Sequence, residues 1–202
     1  MSFIENQSRF DEAIRRFDAA NSADPNHELV DGVAHPRELL YASRLTDWVL
    51  RLRPDASEAL RLAARCQHLR RWESPRDRYP LDRAGYLRWR ADLKKFHAEQ
   101  SGAILHEVGY GDDVIARVQA LNLKKDLGKD PDCQVLEDAL CLVFLKYQLA
   151  DLAEKTDNEK IVNALKKSWA KMSEQGRAEA LKLNYREREL ALIKTALGQK
   201  IS

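Results

Sequence analysis

Asp130-Pro131-Asp132-Cys133-Gln134-Val135-Leu136-Glu137-Asp138-Ala139-Leu140-Cys141-Leu142-Val143-Phe144-Leu145 is the stretch whose reading decides the fold class. Aspartate followed by proline is a helix start: the carboxylate accepts from first-turn N–H groups, and proline loses nothing where its missing donor would be an orphan. From Ala139 to Leu145 the segment is apolar all round. A helix without a polar face has no side for water, so this one belongs in the middle of the protein, running to about Glu154. Other helices must surround it.

Working outward, the punctuation marks those helices. Toward the N-terminus, Ser8-x-x-Asp11 opens a first helix ending near Asn21, and a second follows Pro36, with core candidates Leu39, Leu40, Trp48 and Leu52, until Pro54 stops it. Asp55-x-x-Glu58 opens a third, reaching about Trp72. Glu73 to Leu81, holding Pro75 and Pro80, reads as a loop. Asp82 caps a fourth helix that Gly109-Tyr110-Gly111 ends, and Asp112 to Lys125 makes a fifth. Beyond the buried sixth, Thr156-x-x-Glu159 opens a seventh closed by Gly176 in the C′ position, and Arg177 to Leu197 forms the last. Glycine (8) and proline (6) are scarce, and no Val/Ile/Thr alternation signals a strand. The expectation is an all-α, compact, multi-helix single domain over residues 1–202, with about seven to eight helices and no internal repeat.

Composition narrows the class. A chain of 202 residues, 44% hydrophobic and 33% charged, buries a sizeable core and is not a disordered segment. No apolar run approaches the roughly 20 residues of a membrane span. The start, Met1 to Asn6, lacks the pattern of a secretion signal, and Cys66, Cys133 and Cys141 form no CxxC pair. A cytoplasmic protein without a membrane partner is expected.

Net charge is +2, but unevenly spread: residues 1–60 hold 7 Lys/Arg against 11 Asp/Glu, and residues 61–95 hold 11 against 4. Nine of those 11 are arginine, whose planar fork suits bidentate contact with phosphate or carboxylate. The same run is equally readable as a solvated face or as partner to the acidic N-terminal part.

Histidines and carboxylates fall at telling places. At about 100° per residue, Tyr86, Trp89, Leu93, Phe96 and Ile104 share one stripe of the fourth helix, and His97 and Gln100 lie inside it. A core-facing histidine must satisfy both ring nitrogens or bind a metal. Glu137 and Asp138 enter the buried helix side by side, beyond the full reach of its dipole, and need an arginine or a metal ion for compensation. His68 lies outside the apolar arc of its helix, beside Arg61 and Arg65. His35 reads as exposed; His27 and His106 show no patterned partners. The chain has no GxSxG, Walker loop, GxGxxG or HExxH.

Six blocks now stand in order: Gln67-His68-Leu69-Arg70-Arg71-Trp72; Pro75-Arg76-x-x-Tyr79-Pro80; Arg83-x-Gly85-Tyr86-x-x-Trp89-Arg90; Phe96-His97-Ala98-Glu99; Gln134-x-Leu136-Glu137-Asp138-x-x-Cys141-Leu142-Val143-Phe144-Leu145; and Ser168-Trp169-x-Lys171-Met172-Ser173-x-x-Gly176. Together they resemble the family called domain of unknown function 4202, over roughly residues 8 to 185. The resemblance implies a compact helical domain and carries no established activity. At the level of layout the chain is also similar to helical metal-dependent phosphohydrolases, whose ligands are a histidine, an adjacent His-Asp pair and a later aspartate. It departs from them at Leu69, which follows His68 where that pair would have aspartate.

The leading expectation is therefore a metal-dependent hydrolase of a phosphorylated or nucleotide-like small molecule. His68, His97 and Asp138 are the candidate ligands of a divalent metal ion, and Glu137 and Asp138 the candidate catalytic carboxylates. Glu137 or Glu38 completes or supports the shell. Arg71, Arg76, Arg83 and Arg90 would clamp the anion, with Tyr86 and Trp89 as an aromatic wall. The alternative is a non-catalytic binding module for RNA or an anionic metabolite. A helical adaptor for a protein partner is the third.

Overall fold

The computed structural model describes residues 6–198, which fall into two compact units divided between Cys133 and Gln134. Among the described residues there are ten α-helices and one two-stranded sheet. None of these helices is long and apolar enough to cross a membrane.

The first unit is built on α1 (Gln7–Ser22), α2 (Arg37–Leu52), α3 (Glu58–Cys66), α4 (Arg83–Val108) and α5 (Asp112–Leu123). Local chemistry explains where each begins. The Asn6 carboxamide accepts from Arg9 N–H at 3.0 Å, Ser57 Oγ from Leu60 N–H at 3.2 Å, and Asp82 Oδ1 from Gly85 N–H at 2.7 Å. Each such cap is worth about 1 kcal/mol. The third helix thus starts on Ser57, two residues beyond the expected Asp55 box, and Pro36 precedes α2 as its cap. Ala13, Phe17 and Asn21 recur every fourth residue along α1 and face inward. They meet a core that includes Leu45, Val49, Leu60, Leu62, Leu105 and Leu121, all fully buried.

Two departures from expectation shape this unit. His27–Val30 (β1) and Val33–Pro36 (β2) form an antiparallel hairpin, with Val30 opposite Val33. Asp31 and Gly32 make its turn at φ of 50° and 80°, both in the left-handed region a tight hairpin turn requires. The chain also leaves α3 at Cys66 instead of Trp72, entering a tight turn in which Arg70 has φ 51° and ψ 34°. Short 3₁₀ turns follow at Arg71–Glu73 and Arg76–Arg78. The Arg76 guanidinium staples that loop, donating to Tyr79 O at 2.9 Å and Pro80 O at 2.6 Å. Gly85 lets the loop cross α4, because a Cβ there would lie 2.2 Å from the Pro80 carbonyl oxygen.

The second unit carries the body of α6 (Pro131–Val143), then α7 (Leu149–Lys155), α8 (Asn158–Lys171), α9 (Glu174–Leu181) and α10 (Glu187–Ala196). The expected count of seven to eight helices becomes ten for two reasons. The sixth is interrupted by a π turn at Phe144–Gln148, where Leu149 N–H bonds back to Phe144 O. The last is divided after Leu181, where the Tyr185 hydroxyl donates to Ala180 O at 2.9 Å and takes up a last-turn carbonyl; the Glu189 carboxylate then accepts the Arg186 N–H at 3.2 Å at the start of a new helix. Most of the predicted run is buried (Ala139, Cys141, Leu142, Val143 and Leu145), while Leu140 and Phe144 are half-buried.

Gly176 corrects the sequence reading. It is not the C′ residue of the seventh helix: α8 ends at Lys171, Met172 is extended, and Gly176 sits in the first turn of α9. Its backbone is pressed against a carboxylate, and a Cβ there would come within 2.7 Å of Asp138 Cγ.

Candidate functional site

The first turn of α2 puts Glu38 inside the first unit. Its N–H donates to Asp24 Oδ2 at 3.0 Å, so a buried carboxylate from the end of α1 caps the helix from a distance. The Glu38 side chain is itself buried, and this raises its pKa to about 7; Arg71 pulls down, Asp24 pushes up, and His97 pulls down. One oxygen, Oε2, lies 3.3 Å from His68 Nδ1, and the other, Oε1, lies 3.7 Å from Arg71 Nε.

His68 is not the surface residue its helix position suggested. The turn after Cys66 swings its ring onto Tyr41, stacked at 4.0 Å between centroids and 11° between planes. Burial, then Arg71, Arg90 and Lys124, hold its pKa well below the usual histidine value. His97, three percent exposed on α4, has its ring centroid 5.7 Å from that of His68. Burial first, then the neighbouring His68, lower its pKa to about 3. Both imidazoles are neutral at physiological pH.

The hydrogen bonds decide which nitrogen carries the proton. His97 Nδ1 is 2.9 Å from the Leu69 carbonyl oxygen, which only accepts, so Nδ1 is the protonated nitrogen. His97 Nε2 therefore presents a bare lone pair, buried and with no hydrogen-bond partner. His68 Nδ1 lies 3.3 Å from Glu38 Oε2, a close contact without hydrogen-bond geometry. Gln67, next to His68, adds a buried carboxamide oxygen that no donor meets. His97 Nε2 and Gln67 Oε1 are thus two buried acceptors without a hydrogen-bond donor.

Of the predicted residues, the structure brings His68, His97, Glu38 and Arg71 together, with Trp89 beside them: the Arg71 guanidinium lies 5.3 Å above the Trp89 ring, whose Nε1–H is fixed on Ser74 O at 2.9 Å. Arg76 is occupied with loop carbonyls and lies 6.0 Å from the Tyr86 ring, which is 46% exposed. Arg83 and Arg90 are exposed on α4. Glu137 and Asp138 belong to the second unit. There Glu137 pairs with Lys171 at 3.3 Å, while Asp138 accepts from Ser173 N–H at 2.8 Å, from Ser173 Oγ–H at 2.5 Å and from Gln134 Nε2–H at 3.0 Å. Among the described residues no three His, Cys, Asp or Glu side chains are grouped to hold a metal ion.

Sequence reasoning missed Tyr41, Asn21 and Asp24, which shape this cluster from α1 and α2. Glu38 carried a signal: an acidic residue just after a proline start, in line with Ala42 and Leu45 on the buried face.

The sequence model of a family described as a domain of unknown function, DUF4202, matches residues 11–193. No curated protein and no solved structure matches the chain.

Proposed function

We propose that this chain, which belongs to the domain of unknown function 4202 family, is a metal-dependent hydrolase of a phosphorylated or nucleotide-like small molecule, with its working groups at Glu38, His68 and His97. The observation that carries this reading is the open Nε2 of His97. Its Nδ1 donates to the Leu69 carbonyl and leaves Nε2 bare, as in metal-binding histidines whose tautomer an outer carbonyl fixes, and the His68 ring lies beside it with Nδ1 3.3 Å from Glu38 Oε2. His68 and His97 would hold the ion through Nε2. When bound, it would supply a water of lowered pKa and polarise a phosphoryl oxygen.

The chain's own groups do the rest. Glu38, with a pKa of about 7, is poised to take up or release a proton near neutrality. Arg71, beside Glu38, is the arginine best placed to meet an anion entering the cluster, and Trp89 backs it. We assign Arg76 to the loop and Asp138 to its own Ser173 turn, because their polar atoms are already committed there.

Elemental analysis tests the reading. Purified wild type should carry a divalent metal, and His68→Ala and His97→Ala should lose it while keeping their helical circular dichroism. Release of phosphate from a panel of phosphomonoesters and nucleotides should follow the metal. A folded wild type that neither retains nor takes up zinc, manganese or magnesium would end this proposal.

One observation favours a binding-only reading. Arg83 and Arg90 share one exposed face of α4 with Tyr86 and Leu87, a basic face with an aromatic surface for a base or phosphate. Affinity for a single-stranded oligonucleotide that drops steeply between 50 and about 200 mM salt would support it, and salt-independent or absent binding would remove it.

A further inference from the structure

Asn21 is fully buried near the end of α1, yet its side chain serves neither its own helix nor solvent. Its Oδ1 accepts the N–H of Arg70 at 3.0 Å, from a residue 49 positions away. An N–H donor there fixes the carboxamide's orientation, so Nδ2 points the other way, 3.5 Å from the Glu38 carbonyl oxygen. Arg70 is held at φ 51°, a left-handed conformation that costs a residue with a Cβ on the order of 1 kcal/mol and persists only where the surroundings enforce it. The enforced turn places His68 on one side and Arg71 on the other. It also directs the carbonyl of Leu69 at His97 Nδ1.

We propose that Asn21 is a positioning residue for this cluster: by tying the Arg70 turn to the start of α2, it fixes His68 and the Leu69 carbonyl against Glu38 and His97. The inference rests on the reading of Glu38, His68 and His97 as the working groups. It adds that their register is set from α1, by a residue that touches neither imidazole ring in a hydrogen bond. Asp24 reinforces the arrangement by capping α2 through the Glu38 N–H. Two side chains three residues apart on one chain end therefore hold both halves of the cluster.

The test uses the Nδ1–H proton of His97, observed by NMR in the full chain labelled with ¹⁵N-histidine. In wild type this proton should be resolved and protected from solvent exchange. In Asn21→Ala the anchor of Arg70 N–H is gone, and exchange should quicken about tenfold, the consequence of losing one buried hydrogen bond. In Asn21→Ala/Arg70→Gly the turn is free of Cβ strain and holds without the anchor, so protection should return toward the wild-type value. An unprotected proton in wild type, an unchanged one in Asn21→Ala, or a double variant that fails to recover would each overturn the proposal. Where Asn21→Ala does not fold, the double variant decides: folded with a protected proton it supports the role, and otherwise the role is rejected. Broadening of the same resonance by manganese judges the functional reading separately, because its absence in wild type would sink the metal site and leave the exchange result standing.

Discussion

Two carboxylates, Glu38 in the first unit and Asp138 in the second, are almost equally hidden from solvent, at 7% and 2% exposure. Their surroundings differ in kind. Asp138 receives three hydrogen bonds, one of them from the Ser173 hydroxyl that in turn accepts from Gly176 N–H, and a glycine is required so that the turn can approach it. Glu38 has no such set of short donors: its nearest polar partners are a histidine nitrogen at 3.3 Å and an arginine nitrogen at 3.7 Å, and its pKa is raised. A buried polar group that is fully answered holds the fold. One left partly unanswered, beside the open Nε2 of His97, is the one we propose for chemistry. Burial alone does not separate them; the hydrogen-bond inventory does.

Substitutions break this contrast most forcefully on the Asp138 side. Asp138→Ala strands Ser173 N–H and hydroxyl and should cost about 4 kcal/mol in urea unfolding, the range for truncating a buried charged hydrogen-bond centre. Gly176→Ala drives a methyl into the same carboxylate and should cost about 2 kcal/mol, read the same way. If either were neutral, the second unit's carboxylate would not be a structural device.

Acid sharpens the comparison from the other side. His97, with a folded pKa of about 3, and His68, also held low, bind protons more readily when unfolded, so their contribution is complete above about 6.5 and is lost as pH falls. Glu38 opposes them: folded at about 7 against 4.5, it favours the native state as pH falls through that window. The two imidazoles outnumber the one carboxyl, so between pH 6.5 and 4.5 acidification should on balance lower stability. Glu38→Gln removes the opposition and should steepen the loss, measured by urea midpoints across that range.

The smallest stability effect belongs to the functional side. His97→Leu forfeits one bond to Leu69 O but removes an unmatched lone pair, so unfolding free energy should change by less than about 1 kcal/mol while metal retention disappears. A large stability loss there would make His97 a structural residue like Asp138.

The parts of this molecule that the sequence displayed are those governed by near neighbours. The caps at Asp82 and Asp130, the apolar run at Ala139–Leu145 and the inward phase of His97 on α4 follow from spacing alone. The Asp31-Gly32 turn was equally local and was passed over because its strands are four residues each and show no strong β-forming alternation. Other features depend on contacts between distant positions. Glu38 and His68 are 30 residues apart, and the turn that joins them runs through a left-handed arginine that no propensity favours. Gly176 shows how a local rule loses: glycine after a helix usually ends it, but here its missing Cβ accommodates a side chain from 38 positions earlier.

The π turn at Phe144–Gln148 carries a consequence of its own. A π turn holds one more residue than an α turn, so it absorbs a surplus residue worth about 100° of winding and lets the side chains after it keep the face of those before it. Leu145 within the turn and Leu149 and Ala153 beyond it are all buried. Deleting a single residue between 144 and 148 should therefore convert the turn to regular α-helix with Leu149 and Ala153 still facing the core, whereas inserting one would carry both away from it.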